Sequence, residues 1–118
     1  FALTEESSAS EEFKKRCTEL AEGDTMLCLK KIAPTRLIKN ALYTKLAEAE
    51  DKGATADELR EILGRAASKR GIFEGDMESG ELEIGQIASA IKTIKPVREV
   101  MKELISGFEK AKERVTLL

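Results

Sequence analysis

The sequence predicts a mostly α-helical chain, with about five helices and one short strand. Three observations carry that reading. Apolar residues recur at steps of three and four through most of the chain, the period of a helix with one buried face. Two Ser/Thr-x-x-Glu boxes, the spacing in which two side chains cap a helix start reciprocally, stand just ahead of such runs. A Gly or a Pro closes nearly every run.

Taken in order, Ser8-Ala9-Ser10-Glu11 has the capping spacing, and Phe13, Cys17, Leu20 and Ala21 then form one apolar stripe, so a helix is predicted over Ser10 to Ala21. Gly23 stands where a left-handed cap would end it. Thr25 to Ile32 is a short apolar run between Gly23-Asp24 and Ala33-Pro34, a length that suits a buried strand. Pro34 fits a first helical turn, and Leu37, Ile38, Ala41, Leu42 and Leu46 extend a helical stripe to about Glu50. Thr55-Ala56-Asp57-Glu58 is the second capping box; Leu59, Ile62, Leu63 and Ala66 make the apolar side of a helix that Gly71 stops.

Ile72 to Glu81 holds two Gly and four acids and reads as a loop. Ile84, Ile87, Ala88, Ile91 and Ile94 predict a further helix, ended by Pro96 because the residue before a proline avoids helical geometry. Val97, Met101, Leu104, Phe108, Ala111 and Val115 come next at 4-3-4-3-4 spacing, a heptad seam. So short a seam, with Ala and Phe in it, points first to a helix packed on its own protein and second to a free coiled coil. The strand is the odd element, because a lone strand leaves backbone groups unpaired. It is an extended loop under helices, a strand that pairs with another copy, or a strand cut from a larger α/β protein; a start at Phe1 in place of Met favours the last.

Composition narrows the function. With 118 residues the chain is a single unit, residues 1–118, with room for one core. Twenty Lys and Arg against 22 Asp and Glu, interspersed, give a charge of -2 and no footprint for nucleic acid. There is no His, which excludes His-based triads, a His general base and His-containing zinc sites. Cys17 and Cys28 have neither Cys-x-x-Cys spacing nor a His beside them and read as thiols in a reducing cytoplasm. No run approaches the ~18 apolar residues of a membrane helix, and no basic leader opens the chain, so no membrane partner and a cytoplasmic location are expected.

Phe1-Ala2-Leu3-Thr4-Glu5-Glu6-Ser7 resembles the segment just after the last barrel strand in the flavin-dependent nitronate monooxygenase and enoyl-acyl-carrier-protein reductase family. Thr35-Arg36-Leu37-Ile38-Lys39-Asn40 resembles the family's Val-Arg-x-x-Lys-Asn. Gly75-Asp76-Met77-Glu78-Ser79-Gly80, and after it Gly85-Gln86-Ile87-Ala88, resemble its Gly-Asp-x-x-x-Gly and Gly-Gln-x-Ala at the same separation. Order and spacing agree from Phe1 to about Ile94; Ser89 departs, where the family usually has Gly.

The resemblance implies the C-terminal portion of an α/β (β/α)8 TIM barrel. Residues 1–33 resemble the end of the barrel, with last strand rim, helix and short strand, and 34–118 a helical C-terminal region. It implies a C-terminal fragment of an oxidoreductase dependent on flavin mononucleotide (FMN), with NADH or NADPH as electron donor, acting on an enoyl thioester in fatty acid biosynthesis or on a nitronate. No catalytic residue and no metal ligand is expected in this chain, which would not catalyse alone because the upstream barrel portion is missing. A homo-oligomer, a dimer, is expected. The cofactor-binding candidates are Phe1, Gly75, Gly80, Gly85 and Gln86; those for substrate or carrier contact are Arg36, Lys39 and Asn40.

Other readings stand beside these. The loop acids Glu74, Asp76, Glu78 and Glu81 could bind a hard cation, cap the next helix from a solvated turn, or return to the barrel mouth near flavin. Arg36, Lys39 and Asn40 could hold a phosphate or acidic carrier, or bond the helix to the barrel. Tyr43 has no visible base and reads as packing. A different class of function is also open: a self-contained helical interaction module that pairs through the 97–115 seam.

Overall fold

The computed structural model describes residues 1–118. Helix α1 spans Glu11–Thr18, α2 Ala41–Asp51, α3 Ala56–Leu63 and α4 Val97–Thr116, with a π turn at Lys69–Phe73 and a 3-10 turn at Gln86–Ala90. Strands β1 (Thr25–Cys28) and β2 (Thr35–Ile38) pair antiparallel, Thr25 opposite Ile38 and Cys28 opposite Thr35. The mostly helical class holds.

The predicted lone strand has its partner within the chain. Thr35–Ile38, expected as a first helical turn, is extended because both its edges are engaged. On one side lies β1; on the other, Ile38 N–H donates to Leu82 O (2.9 Å) and Ile84 N–H to Arg36 O (3.3 Å). Leu37 and Ile38 are both almost fully buried, on opposite faces: Leu37 enters a core with Leu42, Leu46 and Leu59, Ile38 a core with Phe13, Cys17 and Leu20. A segment with only two apolar residues in four has too little periodicity to separate strand from helix, and two hydrogen-bonded edges decide it.

Helix α1 buries Phe13 and Cys17 of the predicted stripe, at 1% and 0% exposure, while Leu20 is buried just beyond its end and Ala21 is exposed; its cap is Ser10. Ser10 is extended and its hydroxyl accepts from Phe13 N–H at 3.2 Å, so the expected box at Ser8 does not form. The helix stops at Thr18, before the expected Ala21; Ala21 N–H is held by the Asp24 carboxylate (2.8 Å) and Gly23, at φ 87°, turns the chain. Helix α2 is capped by Asn40 and ends as predicted, Gly53 N–H bonding Glu50 O and Ala54 N–H bonding Ala49 O.

The Thr55–Glu58 box forms in full. Helix α3 nevertheless ends at Leu63, short of Gly71, since Gly64 sits at φ 72° and Arg70 reaches back to the Leu63 and Arg65 carbonyls. The helix expected over 84–94 is only the 3-10 turn. Its ends are drawn into extended pairing, Ile84 with β2 and Lys95 with the N-terminal segment (Glu5 N–H to Lys95 O, 3.1 Å), while Ile84, Ile91 and Ile94 still pack on the α1 core.

Helix α4 forms as predicted but is not packed on its own chain. None of its twenty residues is buried; Leu104 and Phe108 are 55% and 65% exposed. Two contacts tie its start to the body, Glu6 Oε2 accepting from Val97 N–H (2.9 Å) and Lys95 pairing with Glu103 (2.5 Å). No helix of the chain is long and apolar enough to cross a membrane.

Candidate functional site

The expected cofactor residues divide into an open set and a locked set. Phe1, 66% exposed, lines a groove of about 230 Å³ with Leu3, Lys95 and Val100. Gln86 lines a wider groove of about 760 Å³, whose other wall is Ala21–Gly23 and Thr25. Ala90 and Lys92 border both, so the two grooves adjoin along the segment after Gly85. Gly85 has nothing within 4 Å of the point where a Cβ would stand, leaving its backbone approachable from outside.

Gly75 and Gly80 are engaged within the chain. A Cβ on Gly80 would lie 2.2 Å from the Gly71 Cα, and one on Gly75, at φ 80°, would lie 2.9 Å from a Glu12 carboxylate oxygen. These glycines let the 75–80 loop lie against the π turn and α1. The loop's acids do not converge. Glu74 pairs with Lys69 (3.2 Å), Asp76 Oδ1 accepts from Glu78 and Ser79 N–H, and Glu81 accepts from Ser68 Oγ (2.5 Å). No three Cys, Asp or Glu side chains gather where a metal could bind, and no helix comes directly after the loop for its acids to cap.

Arg36 and Asn40 are joined to their surroundings, whereas Lys39 is exposed and free of ion pairs. Arg36 Nη1 donates across the hairpin to Thr25 O (3.1 Å) and Oγ1 (3.3 Å). The Asn40 carboxamide accepts from Tyr43 N–H and donates to Met77 O and Gly80 O, each at 2.9 Å, which accounts for both its N–H groups. Tyr43 packs beside the Leu42–Leu46 core, where partial burial raises its hydroxyl pKa above the usual 10.

Both thiols are buried. Burial pushes Cys17 up to about 11; Cys28 also rises to about 11, through burial and then through its hydrogen bond to Glu50 (3.2 Å). Neither is poised as a nucleophile at neutral pH.

Sequence reasoning missed Lys92. Its ammonium donates to Leu20 O just past the end of α1, has no acidic partner, and stands between the two grooves. A single Lys between the apolar positions Ile91 and Ile94 gives no signal of such a place. FMN fits this chain in part: Gln86, the open Gly85 backbone and the Phe1 ring can border a flat polar ring, but no Gly-rich turn leads into a helix to cradle a phosphate.

No family model matches the chain, and no curated protein does. Among solved structures, FabK from Thermotoga maritima matches with a TM-score of 0.85 and 25% identity, over 98% of this chain and 36% of that one. A point mutant of the same FabK matches with a TM-score of 0.75 and 23% identity, over 98% and 34%, and speaks for the fold alone. The chain thus spans about a third of the length of the structures it matches. The resemblance carried by the motifs extends to the fold: this chain resembles the C-terminal part of the FMN-dependent nitronate monooxygenase and enoyl-acyl-carrier-protein reductase family.

Proposed function

We propose that this chain is the C-terminal part of an FMN-dependent oxidoreductase of the enoyl-acyl-carrier-protein reductase kind, inactive without the rest of a barrel. The observation that carries the reading is the match to FabK over nearly the whole chain at a TM-score of 0.85, in the same family that the motifs resemble. Bound FMN supplies hydride acceptance from a nicotinamide donor, and an enoyl thioester is the substrate class. Phe1, Gly85 and Gln86, which stay open to a ligand, border the flavin; Gly75 and Gly80 act by holding the loop between them and the 3-10 turn. Lys39, with the donors Arg36 has left, meets an acidic carrier surface, and Asn40 fixes the backbone behind them.

The test joins the 118 residues to the two thirds of T. maritima FabK that they do not match. The fusion is expected to purify yellow and to oxidise NADH or NADPH when an enoyl thioester is present, with Gln86→Ala weakening flavin retention about 10-fold, the scale of one lost hydrogen bond. A folded, colourless fusion overturns the reading. A second reading, a helical interaction module, is favoured by one observation, the uncovered apolar face of α4.

A further inference from the structure

Helix α4 carries more apolar surface than a coiled-coil seam. To Val97, Met101, Leu104, Phe108, Ala111 and Val115 the structure adds Ile105, 59% exposed, while Val100 is half-buried and lines the groove beside Phe1 and Leu3. At 100° per residue the first seven positions cover an arc of about 120°. A strict seam is narrow; an arc wider than about 100° is the face a helix turns to the core of a globular protein. The helix is about 30 Å long, the span of a small domain, yet an uncovered helix of this size is marginal in water.

The borders of the arc describe the partner. Arg98 borders it on one side and Arg114 on the other, neither of them in an ion pair; Lys112 projects within the arc, between Met101 and Ile105, and pairs along the helix with Glu109 (4.0 Å). Glu99, Glu103, Glu109 and Glu113 lie further round. A second copy of α4, packed antiparallel, would set Arg98 against Lys112 twice; packed parallel, it would offer these cations no acid. Gly107 sits at the arc's edge with nothing within 4 Å of where its Cβ would be, so a surface can come close there.

We propose that α4 seats its wide apolar face on the polypeptide that completes the barrel, against an aliphatic surface rimmed by Asp and Glu, and not on a second copy of this chain. This rests on the barrel reading above. It is supported by the superposition on FabK of 98% of this chain, in a protein nearly three times as long.

The fusion to the unmatched two thirds of FabK tests it by amide hydrogen exchange. Residues 101–115 are expected to exchange about 100-fold more slowly in the fusion than in the free chain. The triple variant R98E/K112E/R114E is expected to lower the melting temperature of the fusion by several degrees and leave that of the free chain unchanged. A flavin-loaded fusion whose α4 exchanges as fast as in the free chain overturns the docking and leaves the enzyme reading intact. A protected α4 in a colourless fusion does the reverse. The free chain gives a second, independent check by sedimentation: a monomer at low micromolar concentration is expected. A tight dimer that Phe108→Asp dissociates assigns the face to a second copy and overturns the proposal.

Discussion

The Asn40 carboxamide donates a 2.9 Å hydrogen bond to the Gly80 carbonyl, joining the cap of α2 to the end of the 75–80 loop across forty positions of sequence. A second bond from the same nitrogen reaches Met77 O, and the carboxamide oxygen caps α2 through Tyr43 N–H. Replacing Asn40 by Ala removes all three and is expected to cost about 2–4 kcal/mol, read from urea unfolding. Asn40→Asp keeps the cap and loses the two donors, so it should still cost more than about 1 kcal/mol. An Asp variant as stable as the parent would mean that the loop is held by something else.

The two glycines of the resemblance respond differently to a methyl group. Gly80→Ala drives a Cβ to within 2.2 Å of the Gly71 Cα and is expected to destabilise by about 3 kcal/mol or more. Gly85→Ala meets open space at an ordinary backbone angle, φ -69°, and should change stability by less than about 0.5 kcal/mol. Thermal melts of the two variants side by side check the pair.

Glu50 holds the turn between the strands. Its two carboxylate oxygens accept from Cys28 Sγ (3.2 Å), Leu29 N–H (3.1 Å) and Lys30 N–H (2.8 Å), where Leu29 adopts φ 58°. Glu50→Ala is expected to cost about 2 kcal/mol and to speed labelling of Cys28 by a thiol reagent while Cys17 stays slow. Equal labelling of both thiols would show that the turn stands without Glu50.

How much of the molecule is legible in the sequence depends on where the deciding contacts lie. The Thr55–Glu58 box, the Gly53 stop and the whole of α4 rest on neighbours within a turn or two, and all are readable. The strand Thr35–Ile38 and the missing helix over 84–94 are not, because Leu82 and Ile84 lie more than forty residues from the β2 backbone they pair with. Among the site residues, the family resemblance singles out Asn40 and Gly80 without revealing that they bond each other. Lys92 carries no local signal at all: only folding brings it to the end of α1.

Stability should fall in alkali. The buried thiols have folded pKa values of about 11 against an ordinary 9.0, so the folded chain holds their protons more firmly than the unfolded chain. That stabilisation is complete below pH 9 and is lost as pH rises from 9 to 11. At the other end, Glu58, lowered from 4.5 by its bonds to Thr55, supports α3 above its ordinary value, and that support is lost as the pH falls below it. Urea midpoints across about pH 3 to 11 should fall at both ends. The alkaline loss should shrink in a C17A/C28A variant; an unchanged alkaline limb in that variant would rule out the thiols as its cause.

Membership of a flavin enzyme built like FabK is decided by the intact mass and visible spectrum of the protein purified from the cells that make it. A mass well above 13.0 kDa with a flavin absorption band is expected. A colourless protein of 13.0 kDa would refute that membership and turn attention to α4 as the working surface of a helical module.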